Sequence, residues 1–215
     1  MRNLLVGVLT VLAAGWVPRA IAQADVALVN RVVGEATYTS SSNSANPVTA
    51  FMRVREGDRF TLPRGAQVRV VYMQGGRQEA WSGPAAFRAG EKQSEAVRGT
   101  PEVSQVPVMV AVKMGRIPNL MQSARLGGVT VRGGPRPVPL TPEEIDDLRV
   151  AREAYRQLRA GAKEDDVAPE MFLFSVLQEY GQFDELKGVA RDMRRRQPAG
   201  AEVRELADWA ESRGR

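Results

Sequence analysis

"VREGDRFTLPRGAQVRVVY", residues 54–72, alternates in polarity, turns at Pro63 and Gly65, and alternates again. Val68, Val70 and Tyr72 fall on one side of a pleated strand, while Gln67 and Arg69 fall on the other. Period two with β-branched residues marks a half-buried strand. Upstream, "VALVNRVVGEATY" (Val26–Tyr38) alternates loosely around Gly34, and "TAFMRV" (Thr49–Val54) predicts a second strand. "SSSNSANP" (Ser40–Pro47) reads as a polar loop between them. Downstream, "QGGR" (Gln74–Arg77) is a tight turn, because its two glycines tolerate the positive φ that a two-residue hairpin demands. "RQEAWSG" returns as a strand and "AAFRAG" supplies another. Short strands at regular spacing predict a small β-sandwich or barrel, jelly-roll-like, over residues 25–105.

From Thr141 the pattern changes to helix. In "TPEE", Thr141 caps, Pro142 takes the first helical position and Glu144 falls at N3 of a capping box. Ile145, Leu148, Ala151, Tyr155 and Leu158 then recur at helical spacing. Further helices are predicted over Pro169–Tyr180, ended by Gly181, over Asp184–Arg196, stopped by Pro198 and Gly200, and over Ala201–Ser212. Residues 141–215 therefore read as an antiparallel α-hairpin array, and the fold class is mixed β then α. Residues 106–140 connect the halves. Within them, 106–126 is open between helix and strand, with a lean to helix over Pro118–Arg125. "GGVTVRGG" reads as a short strand and "PRPVP" (Pro135–Pro139) as an extended linker.

The first 24 residues read as a signal peptide. Arg2 precedes the apolar run Leu4–Ala14, Pro18 breaks it, and small residues offer cleavage after Ala22 or Ala24. The expectation is export to the periplasm, soluble or peripherally associated with the envelope, with no stable membrane span after cleavage. Loss of Arg2 and Arg19 lowers the formal charge from +5 to +3, which is no footprint for nucleic acid. The chain holds no cysteine and no histidine. Disulfides, thiolate chemistry, His-ligated zinc and an imidazole base are thereby excluded.

Two stretches carry resemblances. "VREGDRFTLPRGAQVRVVYMQGGRQEAWSGPAAF", with Gly57-Asp58, Gly65, Gly75-Gly76 and Gly83-Pro84 at its turns, resembles the FecR-like β module over about residues 26–97. Gln74-Gly75 stands where that family usually has Asp-Gly. Only Met1–Asn3 precede the apolar run, so the cytoplasmic sigma-regulating segment of true FecR regulators is not expected. "LQEYGQFDELKGVARDMRRRQPAGAEVRELADWAESRGR" is similar to a tetratricopeptide-like repeat, with Gly181, Phe183, Ala190 and Pro198 at its turn, aromatic, small and stop positions. One repeat and part of another need neighbours to bury their apolar faces.

These readings imply a non-catalytic scaffold that binds another exported or envelope protein. The alternative is a binder of peptidoglycan or another anionic cell-wall glycan through the β module. No catalytic, cofactor or metal residues are expected. The candidate partner-binding residues are Trp81, Trp209, Arg194, Arg195 and Arg196. Trp81 is either a sugar-stacking platform or core. Trp209 sits beside the Val203–Leu206–Ala210 stripe and could mark an exposed docking surface. The arginines at Arg191–Arg196 either grip an anionic group or complement the negative end of a helix dipole.

Overall fold

A computed structural model describes residues 24–40, 44–125, 139–198 and 200–212. The signal segment before residue 24, the "GGVTVRGG" strand and most of the proline linker lie outside the described residues. In chain order the strands are β1 (Asp25–Val33), β2 (Thr37–Thr39), β3 (Ala45–Pro47), β4 (Arg53–Arg55), β5 (Arg59–Leu62), β6 (Gln67–Tyr72), β7 (Arg77–Ser82), β8 (Ala85–Ala89), β9 (Ser94–Arg98) and β10 (Glu102–Gln105). They form two antiparallel five-stranded sheets, in the orders β10-β7-β6-β1-β4 and β3-β2-β5-β8-β9. The helices are α1 (Val108–Met114), α2 (Ile117–Arg125), α3 (Pro142–Gly161), α4 (Ala168–Glu179), α5 (Phe183–Arg196) and α6 (Ala201–Glu211). The fold is β then α, as expected.

The first sheet is the middle of three layers. One of its faces, carrying Ala27, Val29, Val68, Val70 and Tyr72, packs on Phe60, Leu62 and Phe87 of the second sheet. Its other face places Leu28 and Val71 in one continuous core with the helices. Both faces of β1 are therefore covered, which explains why its alternation in the sequence is loose. Two aromatic stacks fill the inter-sheet core: Phe87 lies 4.7 Å from Phe60 on the neighbouring strand of its own sheet and 4.5 Å from Trp81 on the opposite sheet, ring centre to ring centre.

Several local expectations change. Only the end of Thr49–Val54 is strand. Phe51 takes φ +62°, rare for a bulky residue, and its buried ring joins the helix-side core. The Ser40–Pro47 loop contains β3, which pairs with β2. The β6–β7 connection spans four residues, 73–76, with Gly75 and Gly76 both at positive φ.

The capping box at α3 forms in both directions. Glu144 N donates to Thr141 Oγ1 at 3.3 Å, and Thr141 N donates to Glu144 Oε2 at 2.8 Å. Ile145 departs from the expected stripe and is 56% exposed, whereas Leu148 and Ala151 are buried. The open segment 106–126 forms two helices from Val108 to Arg125, and both pack into the array: α1 on α4, and α2 on α4 and α6. With α3 and α5 on its remaining sides, α4 is buried from Ala168 through Leu177. A helix enclosed all round has no use for a polar face, and "MFLFSVL" carries almost none. The C-terminal helices thus find their neighbours within their own chain.

Ion pairs cross the β–α junction beside that core. Arg31 on β1 grips Asp165 through two hydrogen bonds, at 2.9 and 2.7 Å. Arg69 on β6 donates to the buried Asp166, whose Oδ1 also accepts from Ala168 N at 3.0 Å at the start of α4.

Candidate functional site

Of the five candidate residues, two belong to cores. Trp81 alternates inward on β7, opposite Val68, and is 1% exposed. Its indole N–H donates to Glu79 Oε2 at 3.2 Å. It is therefore no platform for a sugar. Trp209 is 8% exposed and packs on Phe174 at 5.9 Å. The expectation of an exposed Trp209 fails: the buried stripe of α6 is wider than read, taking in Val203, Leu206, Ala207, Trp209 and Ala210, with α4, α5 and α2 all close to it.

The arginines separate by partner. Arg196 Nε lies 3.1 Å from Glu170 Oε1, and Glu170 is fully buried. Arg159 Nη1 donates to the other carboxylate oxygen at 3.0 Å, and Tyr155 Oη donates to Oε1 at 3.2 Å. This cluster fastens α3, α4 and α5 together, so Arg196 is a structural clamp. A buried carboxylate left without its cations costs about 3–5 kcal/mol. Arg194 instead pairs with Asp208 on α6 at 2.6 Å, and Arg195 pairs with Asp192 one turn back. Their side chains are 45% and 78% exposed. Surface pairs of this kind are worth about 0–1 kcal/mol, so both guanidinium groups can be traded to a partner.

Together with Arg191, these two arginines ring an open hollow of about 540 Å³ on α5, at Gly188 and Asp192. Gly188 lines it, and a Cβ there would meet nothing within 4 Å. Arginine forks suit carboxylate geometry, and their donors are fixed in a plane. The hollow can accept acidic side chains from a rigid surface.

A second concavity lies at the β–α junction. It is a cleft of about 360 Å³ whose wall includes Asn30, Gln78 and Ser104 from the central sheet and Lys163 from the α3–α4 connection. The sequence carries no signal for it, because the residues converge only when the halves dock and when β1 bulges between Val29 and Arg31.

The buried acids are held by the fold. Glu79 accepts from Arg77 Nε at 2.7 Å and from Ser94 N at 3.3 Å, besides Trp81. Asp58 Oδ2 accepts from Arg55 N at 2.9 Å. Burial pushes the Asp58 carboxyl above its ordinary value, against the opposing pull of Arg55. Among the described residues no group of three or more acids is placed to hold a metal ion. No helix among them is long and apolar enough to cross a membrane.

Compared with family models, curated proteins and solved structures, the chain matches none of them.

Proposed function

We propose that this chain is an exported, non-catalytic scaffold of the cell envelope that uses the outer face of α5 to receive an acidic segment of another exported protein. The observation that carries the reading is the hollow at Gly188, lined by Arg191, Arg194 and Arg195 of α5 together with Asp192. The charged leader with its apolar run supports export, and the FecR-like turn pattern agrees with an envelope β module. A third support is the placement of the buried acids, Glu79, Asp58, Asp166 and Glu170, each engaged inside the fold. The helical array contributes shape and charge to such an interface, since its apolar interior is filled by α1, α2 and the central sheet. Rim charges of this kind set on-rate and salt dependence more than raw affinity.

Crosslinking capture from the native envelope fraction tests this, with the wild type set beside an Arg191→Gln/Arg194→Gln/Arg195→Gln variant. The wild type should retain a small set of acidic partners, with retention falling as salt is raised. The triple variant should lose them at an unchanged melting temperature. Equal capture of the same partners by both proteins rules out the α5 face.

A further inference from the structure

We propose that the outer face of the second sheet docks on an anionic phospholipid bilayer, whose headgroup phosphates are received by Arg59, Arg88 and Arg98. This face is separate from the α5 hollow and does not depend on it.

The face follows from strand register. On β5 and β8, Phe60 and Phe87 turn inward to the inter-sheet core, so Arg59, Thr61, Ala86 and Arg88 turn outward. Arg59 lies directly opposite Arg88, Arg88 opposite Glu95 on β9, and Ala86 opposite Arg98. All three arginines are exposed, and Glu95 is the one acid that the strands of this sheet turn to the same side. Like charges directly opposite one another in a sheet are unfavourable, and the chain does little to relieve the Arg59–Arg88 pair. Arg88 meets Glu95 only at 3.5 Å, between side chains 49% and 64% exposed. Among the described residues, the arginines whose side chains make neither an ion pair nor a hydrogen bond are Arg59, Arg64 and Arg98. Two of these lie on this face and the third in the turn after β5. Every other described arginine side chain holds an oxygen of its own chain, so the unpartnered guanidinium groups are concentrated at one sheet.

Guanidinium forks match phosphate oxygens, and the shape of the face selects a bilayer as their source. The face is the outside of an outer layer. The hollow on α5 and the β–α cleft both lie elsewhere. Its strands turn no aromatic ring outward: Phe60 and Phe87 are buried, and Tyr38 stacks on Phe60 at 5.9 Å. A sugar ring therefore has no platform there. An open cationic face without such a platform answers to charge density, which an anionic bilayer presents in a plane. The helices lie beyond the central sheet, on the far side from this face. A bilayer against the second sheet leaves them clear to meet a partner.

Cosedimentation with vesicles of equal parts phosphatidylglycerol and phosphatidylcholine tests this, using the chain purified from the envelope fraction. Pure phosphatidylcholine vesicles give the baseline, including any contribution of the apolar leader. Binding above that baseline should be saturable and should fall as salt is raised. Arg59→Gln/Arg88→Gln/Arg98→Gln should weaken it on the order of 100-fold, about fivefold for each arginine. The melting temperature should not change, since all three side chains are exposed. Glu95→Gln should bind more tightly than the wild type, a gain that damage to the fold would not produce. Arg191→Gln/Arg194→Gln/Arg195→Gln should bind these vesicles as the wild type does. No binding above the baseline at low salt overturns the proposal. So does an equal loss in the α5 variant and the sheet variant, or retention on insoluble peptidoglycan in place of vesicles through the same three arginines.

Discussion

Gly57 shows how one backbone angle ties the sandwich together. It takes φ +90°, in the left-handed region that side chains resist. That angle lets its N–H donate to Ala89 O at 2.7 Å, while Ala89 N donates to Asp58 O at 2.8 Å. The β4–β5 corner is thereby fastened to the end of β8, with the Asp58 side chain closing the turn on Arg55 N. Gly57→Ala keeps every side-chain contact and adds only a methyl group in a strained conformation. It should lower stability by about 1–3 kcal/mol, read as a lower urea midpoint at an unchanged slope. Gly57→Asn should recover part of the loss, because asparagine tolerates the left-handed region better than alanine. An alanine variant with the wild-type midpoint would mean that the corner does not depend on that angle.

At the scale of elements, α5 holds the converse case. Gly188 sits inside a helix with an open surface above it, where glycine costs about 0.5–1 kcal/mol relative to alanine. Gly188→Ala should therefore raise the unfolding midpoint by that amount, and a fall would show that the added Cβ meets something. Elements whose signals are local are legible in the amino-acid sequence alone. The Thr141 capping box, the Gly-marked hairpin after Tyr72 and the four C-terminal helices all declare themselves within a few residues. What is not legible depends on neighbours distant in the chain. Trp209 is buried against Phe174, a residue of α4 far from it in the chain. Phe51 breaks an expected strand because its ring is drawn into the helix-side core. The arginine run is visible as a run, yet nothing local says that Arg196 belongs to the buried Glu170 while Arg194 and Arg195 stay at the surface. Asn30 in the cleft needs both a β-bulge and the docking of the halves, neither of which has a sequence mark.

At the scale of the whole molecule, the helices and the central sheet are joined by a shared apolar core with ionic fastenings around it. Two of those fastenings titrate in acid. Hydrogen bonds from Arg31 hold the Asp165 carboxyl below its ordinary value. For Glu179, at the end of α4, burial acts upward, but hydrogen bonds from Lys113 and Arg116 prevail and hold it below its ordinary value as well. A carboxylate with a depressed folded pKa binds fewer protons in the folded state than in the unfolded one. Its contribution is complete above the ordinary values of 3.8 for Asp165 and 4.5 for Glu179, and is lost as pH falls through the lower folded values. Asp58 has the opposite sign: its raised pKa means that protonation relieves the folded state first as pH falls. Stability should therefore hold or rise slightly on mild acidification, then drop below about pH 4 as Asp165 and Glu179 protonate. Thermal melts from pH 7 to pH 3 read this directly. Asp165→Asn/Glu179→Gln should melt lower than the wild type near neutrality, and the gap should narrow as pH falls towards 3. A constant gap between the two proteins across that range would show that neither the Arg31–Asp165 pair across the β–α junction nor the pairs of Glu179 with Lys113 and Arg116 between helices contribute to stability.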